Sequence, residues 1–157
     1  MLRANNFYPI KIDYADRQVE LVSILDTGNS LYTVMGRKPV IVVERSKIET
    51  ILSDLTVSFL KENEAELWLT HLDQCLDHDW LSRIQVIPYQ AIGSTNMLIG
   101  FRPDKLTVIT KSGEITTTEV VVAIYNGHLS SDGAYTALLN PLIINNAIRN
   151  EEVGVCA

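Results

Sequence analysis

The sequence predicts a mainly β domain spanning all 157 residues, with a helical segment inserted at about 46–82 and a helix near the C-terminus. Three observations lead there. Short β-forming runs broken by turn residues occupy both ends of the chain. The middle third lacks such runs and carries leucines at helical spacing. The hydrophobic fraction of 46% and the charged fraction of 20% belong to a globular chain with its own core.

The elements follow in order. Phe7 to Asp13 alternates apolar and polar residues, as a half-buried strand does. Gln18 to Leu25 is a second strand, stopped by the turn residues Asp26-Thr27-Gly28-Asn29. Leu31 to Val34 resumes β character, Gly36-Arg37-Lys38-Pro39 breaks it, and Val40 to Val43 is a short buried strand. Ser46-Lys47-Ile48-Glu49 has the form of a capping box, so a helix is expected from there to about Leu52–Leu55. Helical signals continue over 57–82. Leu60, Leu67, Leu72 and Leu76 are expected to share apolar faces, with Glu62, Glu64 and Glu66 on a solvated face. Arg83 to Ile92 is a strand entering a hairpin, with a small polar tip at Gly93-Ser94-Thr95-Asn96 and a return over Met97 to Phe101. Leu106 to Thr110 and Ile115 to Ile124 are expected to pair around Lys111-Ser112-Gly113-Glu114. Asn126 to Gly133 is a loop and Tyr135 to Leu139 a last strand. Pro141 to Arg149 is a last helix, with proline in its first turn.

Charge and cysteine usage narrow the function classes. A net charge of −6 and a pI near 5.0 argue against nucleic acid as a main partner, because phosphate binding needs clustered Lys and Arg. They argue equally against broad contact with an anionic membrane. Cys75 and Cys156 make no disulfide framework, which favours a reducing compartment. No apolar run approaches the roughly 20 residues that span a bilayer, and the N-terminus has no signal-peptide core. The chain is expected to be soluble as it stands, and to be compatible with being one piece of a larger protein.

The segment that carries chemistry is Asp26-Thr27-Gly28-Asn29, at the end of the apolar run Leu21-Val22-Ser23-Ile24-Leu25, with Asp26 the candidate catalytic residue and Thr27, Gly28 and Asn29 its loop. An aspartic protease needs a carboxylate at the end of a buried strand, held in a tight turn. Glycine there admits close approach of a substrate backbone, and the threonine hydroxyl is able to bond neighbouring backbone. Two such carboxylates must face each other, and like charges at close range share one proton. One then activates water while its protonated partner polarises the scissile carbonyl. Neither a metal nor another cofactor is required. The tripeptide alone is a weak signal, since a turn after a strand has the same composition.

The chain has no second such motif; Asp132-Gly133 lacks the hydroxyl residue. One motif in 157 residues suits a protomer that supplies half a site across a twofold axis. The fold expected is therefore a retropepsin-like closed β architecture active as a homodimer. Two further features suit it. The hairpin Tyr89 to Phe101, with Ile92, Gly93, Ser94, Thr95 and Asn96 at or near its tip, is a candidate flap over substrate; an ordinary structural hairpin is the plain alternative. The stretch Ala137-Leu138-Leu139-Asn140-Pro141-Leu142-Ile143 places two apolar residues, a break and a helix near the C-terminus, as retroviral-type proteases do.

Several stretches in order resemble one family. They are Leu25-Asp26-Thr27-Gly28-Asn29-Ser30-Leu31-Tyr32, Lys38-Pro39-Val40-Ile41-Val42, Arg83-Ile84-Gln85-Val86-Ile87-Pro88-Tyr89-Gln90-Ala91-Ile92-Gly93 and Phe101-Arg102-Pro103-Asp104-Lys105, followed by Asn140-Pro141. Together they resemble the sporulation sigma-E factor-processing peptidases of spore-forming bacteria. The resemblance implies a membrane-associated aspartic protease whose cytoplasmic protease domain, on the mother-cell side, is this chain. It implies a multi-span N-terminal region outside it, the sigma-E precursor as substrate and an activating signal protein made in the forespore. Asp26 would be the catalytic aspartate, with Thr27 and Gly28 completing the motif.

Other constellations are weaker. His71, Cys75 and His78 are spaced to meet on one helix face, with Asp77 or Asp79 nearby, but the cysteine pairing of a structural zinc site is missing. Cys75 and His78 lack the flanks of a thiol nucleophile. His128 has no evident partner, Ser130-Ser131-Asp132-Gly133 is loop composition, and no phosphate-binding glycine loop occurs. Two rival readings stand beside the sigma-factor peptidase. One is a non-catalytic dimerisation or regulatory domain of the same fold; the other is a broader protease of retroviral type.

Overall fold

The computed structural model describes residues 6–28, 37–91 and 93–145. Nine strands form one sheet. In chain order they are β1 (Phe7–Tyr14), β2 (Arg17–Leu25), β3 (Val40–Glu44), β4 (Ile84–Ala91), β5 (Ser94–Phe101), β6 (Lys105–Thr110), β7 (Gly113–Thr117), β8 (Val121–Tyr125) and β9 (Ala137–Leu139). Three short helices, α1 (Arg45–Ile48), α2 (Asp54–Glu62) and α3 (His78–Leu81), lie between β3 and β4. Residues 141–145 are helical. Among the described residues no helix is long and apolar enough to cross a membrane. The mainly β architecture with a helical insert is thus present.

The strand order β4-β5-β8-β3-β9-β2-β1-β6-β7 forces the sheet to curl. β5 and β6 stand six places apart in that order, which is about 29 Å across a flat sheet at roughly 4.8 Å per strand. Only residues 102–104 join them, and that link reaches about 14 Å at most. Curling brings the two ends together. The Tyr14 and Phe101 rings then meet edge to face at 5.2 Å, and the Asp104 N–H donates to the Asp13 carbonyl at 2.8 Å.

Side-chain alternation then divides the apolar residues between two faces. Ile10, Ile12, Ile41, Val43, Phe101 and Leu106 line the main core inside the curl, each at most 1% exposed. The insert joins the same core with Ile48, Leu52, Phe59, Leu60, Trp68 and Trp80. The opposite face carries a smaller cluster of Val40, Val42, Ile87, Val121 and Ala123, with Leu98, Leu129 and Leu138 packed at its edge.

Several boundaries differ from those expected. Ser46 caps no helix, because the chain runs straight from β3 into α1 with Glu44 at the N-cap position. The residue that does cap is Ser53, whose hydroxyl accepts the Thr56 N–H at 3.2 Å and opens α2. Segment 57–82 is not one helical stretch; after α2 it breaks into turns at Ala65–Leu67 and Leu72–Gln74 before α3. Leu60 is buried, but Leu67 and Leu76 are exposed rather than on a shared apolar face. Glu62, Glu64 and Glu66 face solvent as expected. The run 115–124 is two strands: β7 returns along β6, and after a bend at 118–120 β8 pairs with β3 and β5 instead. The last strand is limited to β9. The strand expected at Leu31–Val34 and the last helix beyond 145 lie outside the described residues.

Candidate active site

Asp26 follows directly on β2, and its position comes from how three strands cross. β9 lies between β2 and β3, parallel to β2 (Ser23↔Ala137, Leu25↔Leu139) and antiparallel to β3 (Val42↔Leu138). β2 and β3 therefore run in opposite directions on either side of β9. Asp26 stands at the exit of β2. Its N–H donates to the Leu139 carbonyl at 3.1 Å, extending the ladder one residue past β2 and anchoring the backbone of the turn.

The side chain is half-buried. Asp26 Oδ1 accepts the Gly28 N–H at 3.0 Å, an Asx turn that orients the carboxylate. Gly28 has no left-handed φ, so the turn does not need glycine for its torsions. A Cβ there would lie 3.4 Å from Asp26 Oδ1, an ordinary van der Waals contact, so glycine is not demanded by space either. Thr27 is exposed and makes no hydrogen bond among the described residues. Asn29 lies outside them.

Alternation along β2 sets the surroundings of the carboxylate. Leu21, Ser23 and Leu25 turn to the core side, where Ser23 Oγ donates to the Tyr8 carbonyl at 2.8 Å. Val22, Ile24 and, one step on, Asp26 turn to the other side. Ile24 pairs with Leu138, and Leu138 with Val42, both in the smaller cluster. Asp26 thus opens on the sheet face that is apolar and incompletely covered; Val22 is 42% exposed. These apolar neighbours were not singled out from sequence. The signal for them is the period-2 pattern in β2, β3 and β9 taken together.

The β4–β5 hairpin leaves the sheet at Gly100 and Phe101, its last residues paired to β8. Gly100 is required there, since a Cβ would sit 2.7 Å from Ile87 Cδ1, 2.8 Å from Val121 Cγ1 and 2.9 Å from the Val122 carbonyl oxygen. The tip is not Gly93–Asn96. Ala91 pairs with Ser94, so the turn is the two residues 92–93, with Gly93 at φ 80°, while Ser94, Thr95 and Asn96 belong to β5. Ile92 lies outside the described residues. Four strand steps separate β5 from β2. Ile87 and Leu98 of the ribbon pack on the same face as Asp26.

The remaining candidates have structural partners. His71 Nδ1 is 3.1 Å from Asn63 Oδ1, and Cys75 is buried in the core. Among the described residues, no three or more His, Cys, Asp or Glu side chains group as a metal site. His128 faces the buried Glu44 carboxylate at 3.6 Å, and Glu44 Oε2 accepts the Leu129 N–H at 2.8 Å, fastening the loop that leads to β9. Asp132 accepts the Ala134 N–H at 3.1 Å, as a turn residue does. An open cleft of about 430 Å³ beside Lys38, Arg83 and Arg102 is lined by charges already paired, Lys38 with Glu119 and Arg83 with Asp104.

Comparison with known proteins bears on this geometry. The model of the peptidase family described as Sporulation factor SpoIIGA matches residues 1–143. The chain belongs to that family. A sporulation sigma-E factor-processing peptidase of Bacillus subtilis (strain 168) is 24% identical over 137 residues, covering 87% of this chain and 44% of the relative. One of the same name from Priestia megaterium is 24% identical over 136 residues, covering 86% and 43%. The chain thus spans less than half the length of these two family members. No solved structure matches it.

Proposed function

We propose that this chain is the protease domain of an aspartic endopeptidase that removes the N-terminal pro-segment of the sigma-E precursor. Two copies supply one Asp26 each to a single site. The observation that carries the reading is the placement of Asp26: a half-buried carboxylate at the exit of β2, fixed through the Leu139 carbonyl and the Gly28 N–H, on a partly open apolar face. Membership of a peptidase family and the names of the relatives support the substrate class.

In this reading the paired carboxylates share one proton. The ionised one takes a proton from water as it attacks the scissile carbonyl carbon, and the protonated one bonds the carbonyl oxygen as charge develops there. Substrate lies extended between the dyad and the β4–β5 ribbon, held by backbone hydrogen bonds. The ribbon closes as a flap. The same reading includes a membrane-embedded region elsewhere in the whole protein and a forespore-made activating protein, both implied by the family resemblance.

The test is processing of pro-sigma-E in cells that express the full-length peptidase, against Asp26→Ala at matched protein levels. Loss of cleavage in the variant supports the aspartic mechanism and the substrate together. Continued cleavage by Asp26→Ala makes Asp26 a turn residue and ends the reading.

A further inference from the structure

Seven large apolar side chains are exposed among the described residues, and four of them, Leu55, Leu67, Leu69 and Leu76, fall within the 22 residues from 55 to 76. Isolated exposed leucines are ordinary; four within one short segment make it the stretch richest in exposed leucine among the described residues. Leu55 and Leu76 are 50% and 64% exposed. They flank one hydrogen-bonded knot: Asp77 Oδ2 accepts from Ser53 Oγ at 2.6 Å and from Thr56 Oγ1 at 2.9 Å. That knot fixes the two leucine-bearing backbones against each other from opposite ends of the insert. At the other end of α2, Trp68 is pinned to the Leu60 and Asn63 carbonyls at 3.1 Å each, which holds Leu67 and Leu69 at the surface on either side of it.

The charge on this surface selects its occupant. Residues 45–82 hold eight carboxylates and three basic side chains, so this quarter of the chain carries five of the six net negative charges. Glu62, Glu64 and Glu66 stand exposed beside Leu67. An acidic face repels nucleic acid and anionic lipid. It repels a second copy of itself as well. A basic protein surface that carries apolar side chains is complementary to it in both charge and apolarity.

We infer that the insert is a docking surface, separate from Asp26, for the basic face of the sigma-factor precursor. This rests on the proposed substrate class: a sigma factor contacts promoter DNA, and contact with phosphates requires a cluster of Lys and Arg. The folded body of the precursor binds the insert through those residues, and its pro-segment reaches the site at Asp26. Specificity then comes from the body of the substrate as well as from the few residues around the scissile bond.

Binding of purified pro-sigma-E to this chain carrying Asp26→Ala, so that nothing is cut, tests the inference. It is measured by fluorescence anisotropy at low and at physiological salt. The variants are Leu55→Ser with Leu76→Ser, and Glu62→Lys with Glu66→Lys. All four side chains are exposed, so the thermal unfolding of each variant should match that of the parent, and that match is checked. Each pair is expected to weaken binding at least about tenfold, and the charge pair to flatten the salt dependence. Absence of saturable binding by the parent, or unchanged binding by both variants, overturns the inference. The protease reading is scored separately, by whether Asp26→Ala abolishes processing in cells; docking and cleavage therefore succeed or fail independently.

Discussion

On the inner face of the curled sheet, Ile41, Val43, Val122, Ile124 and Ala137 are at most 1% exposed, and the insert seals them with Phe59, Leu60 and Trp80. On the outer face, Val22, Ile24 and Leu138 of neighbouring strands stay at least partly open, and Asp26 stands at their end. The same strands build both faces, so the difference comes from what covers each. A helical insert with two tryptophans closes one side permanently. Among the described residues the other is covered by the β4–β5 ribbon and the 126–136 loop, through Ile87, Leu98 and Leu129. The larger core cluster lies inside the curl, and the outer face is buried over β3 and β8 but less covered near Asp26.

That contrast can be broken from the inner side. Trp80 is fully buried and packs against Phe59 and Phe101 at 6.4 and 6.3 Å between ring centres. Trp80→Ala should cost about 3–5 kcal/mol in urea unfolding, because the cavity left behind cannot collapse. On the outer face Val22→Ser should change stability by no more than about 0.5 kcal/mol while lowering processing. Similar costs for the two would erase the distinction.

Gly100 joins the faces, since the ribbon leaves the sheet there. Gly100→Ala forces Ile87 or the β8 backbone to move and should cost about 1–3 kcal/mol. Hydrogen exchange should show the β4–β5 amides opening first, ahead of those in β1 and β2.

Asp77 sharpens the account of the insert. Burial pushes its pKa up, but the bonds from Ser53, the Trp80 N–H and Thr56 outweigh that and hold it below the usual value. A carboxyl with a depressed folded-state pKa stabilises the fold fully above its unfolded pKa, about 3.9, and the gain is lost as pH falls through the folded value. Asp77→Asn should therefore cost about 1–2 kcal/mol at pH 7, and less as the pH drops below about 4. Thermal unfolding across pH 3–7 reads this.

The smallest effect concerns the β1–β2 turn. Ala15 and Asp16 both adopt left-handed φ, 52° and 65°, a strain relieved in part by the bond from the Ala15 N–H to Asp104 at 2.8 Å. Ala15→Gly should raise stability by up to about 1 kcal/mol, since alanine is the residue strained by a left-handed φ and aspartate tolerates one, measurable as a higher unfolding midpoint.

The local features were legible in the sequence because they depend on neighbours in the chain. Alternation located β1 and β2, and Asp26-Thr27-Gly28 marked the exit of β2. The hairpin around 92–93 was legible, but its tip was placed too far along, because Ser94, Thr95 and Asn96 have turn composition and sit in β5. Ser46-Lys47-Ile48-Glu49 has every residue of a capping box, yet β3 feeds α1 directly; Ser53, before an acidic first turn at Asp54, was the truer signal. The bend at Thr118-Glu119-Val120 contains neither glycine nor proline and leaves no mark. Least legible was the insertion of β9 between β2 and β3. It pairs Leu25 with Leu139, 114 positions away, and such pairing is decided by the whole sheet. That crossing is what gives Asp26 its surroundings.

The central claim is that one site takes an aspartate from each of two copies. Co-expressing the unaltered peptidase with Asp26→Ala at equal levels, and measuring the initial rate of pro-sigma-E processing, tests it most directly. If both aspartates are needed, only pairs of unaltered chains cut, and random pairing leaves about one quarter of the rate given by twice the dose of unaltered peptidase. A rate of about one half would mean that each chain cuts with its own Asp26 alone, and the shared dyad would be wrong.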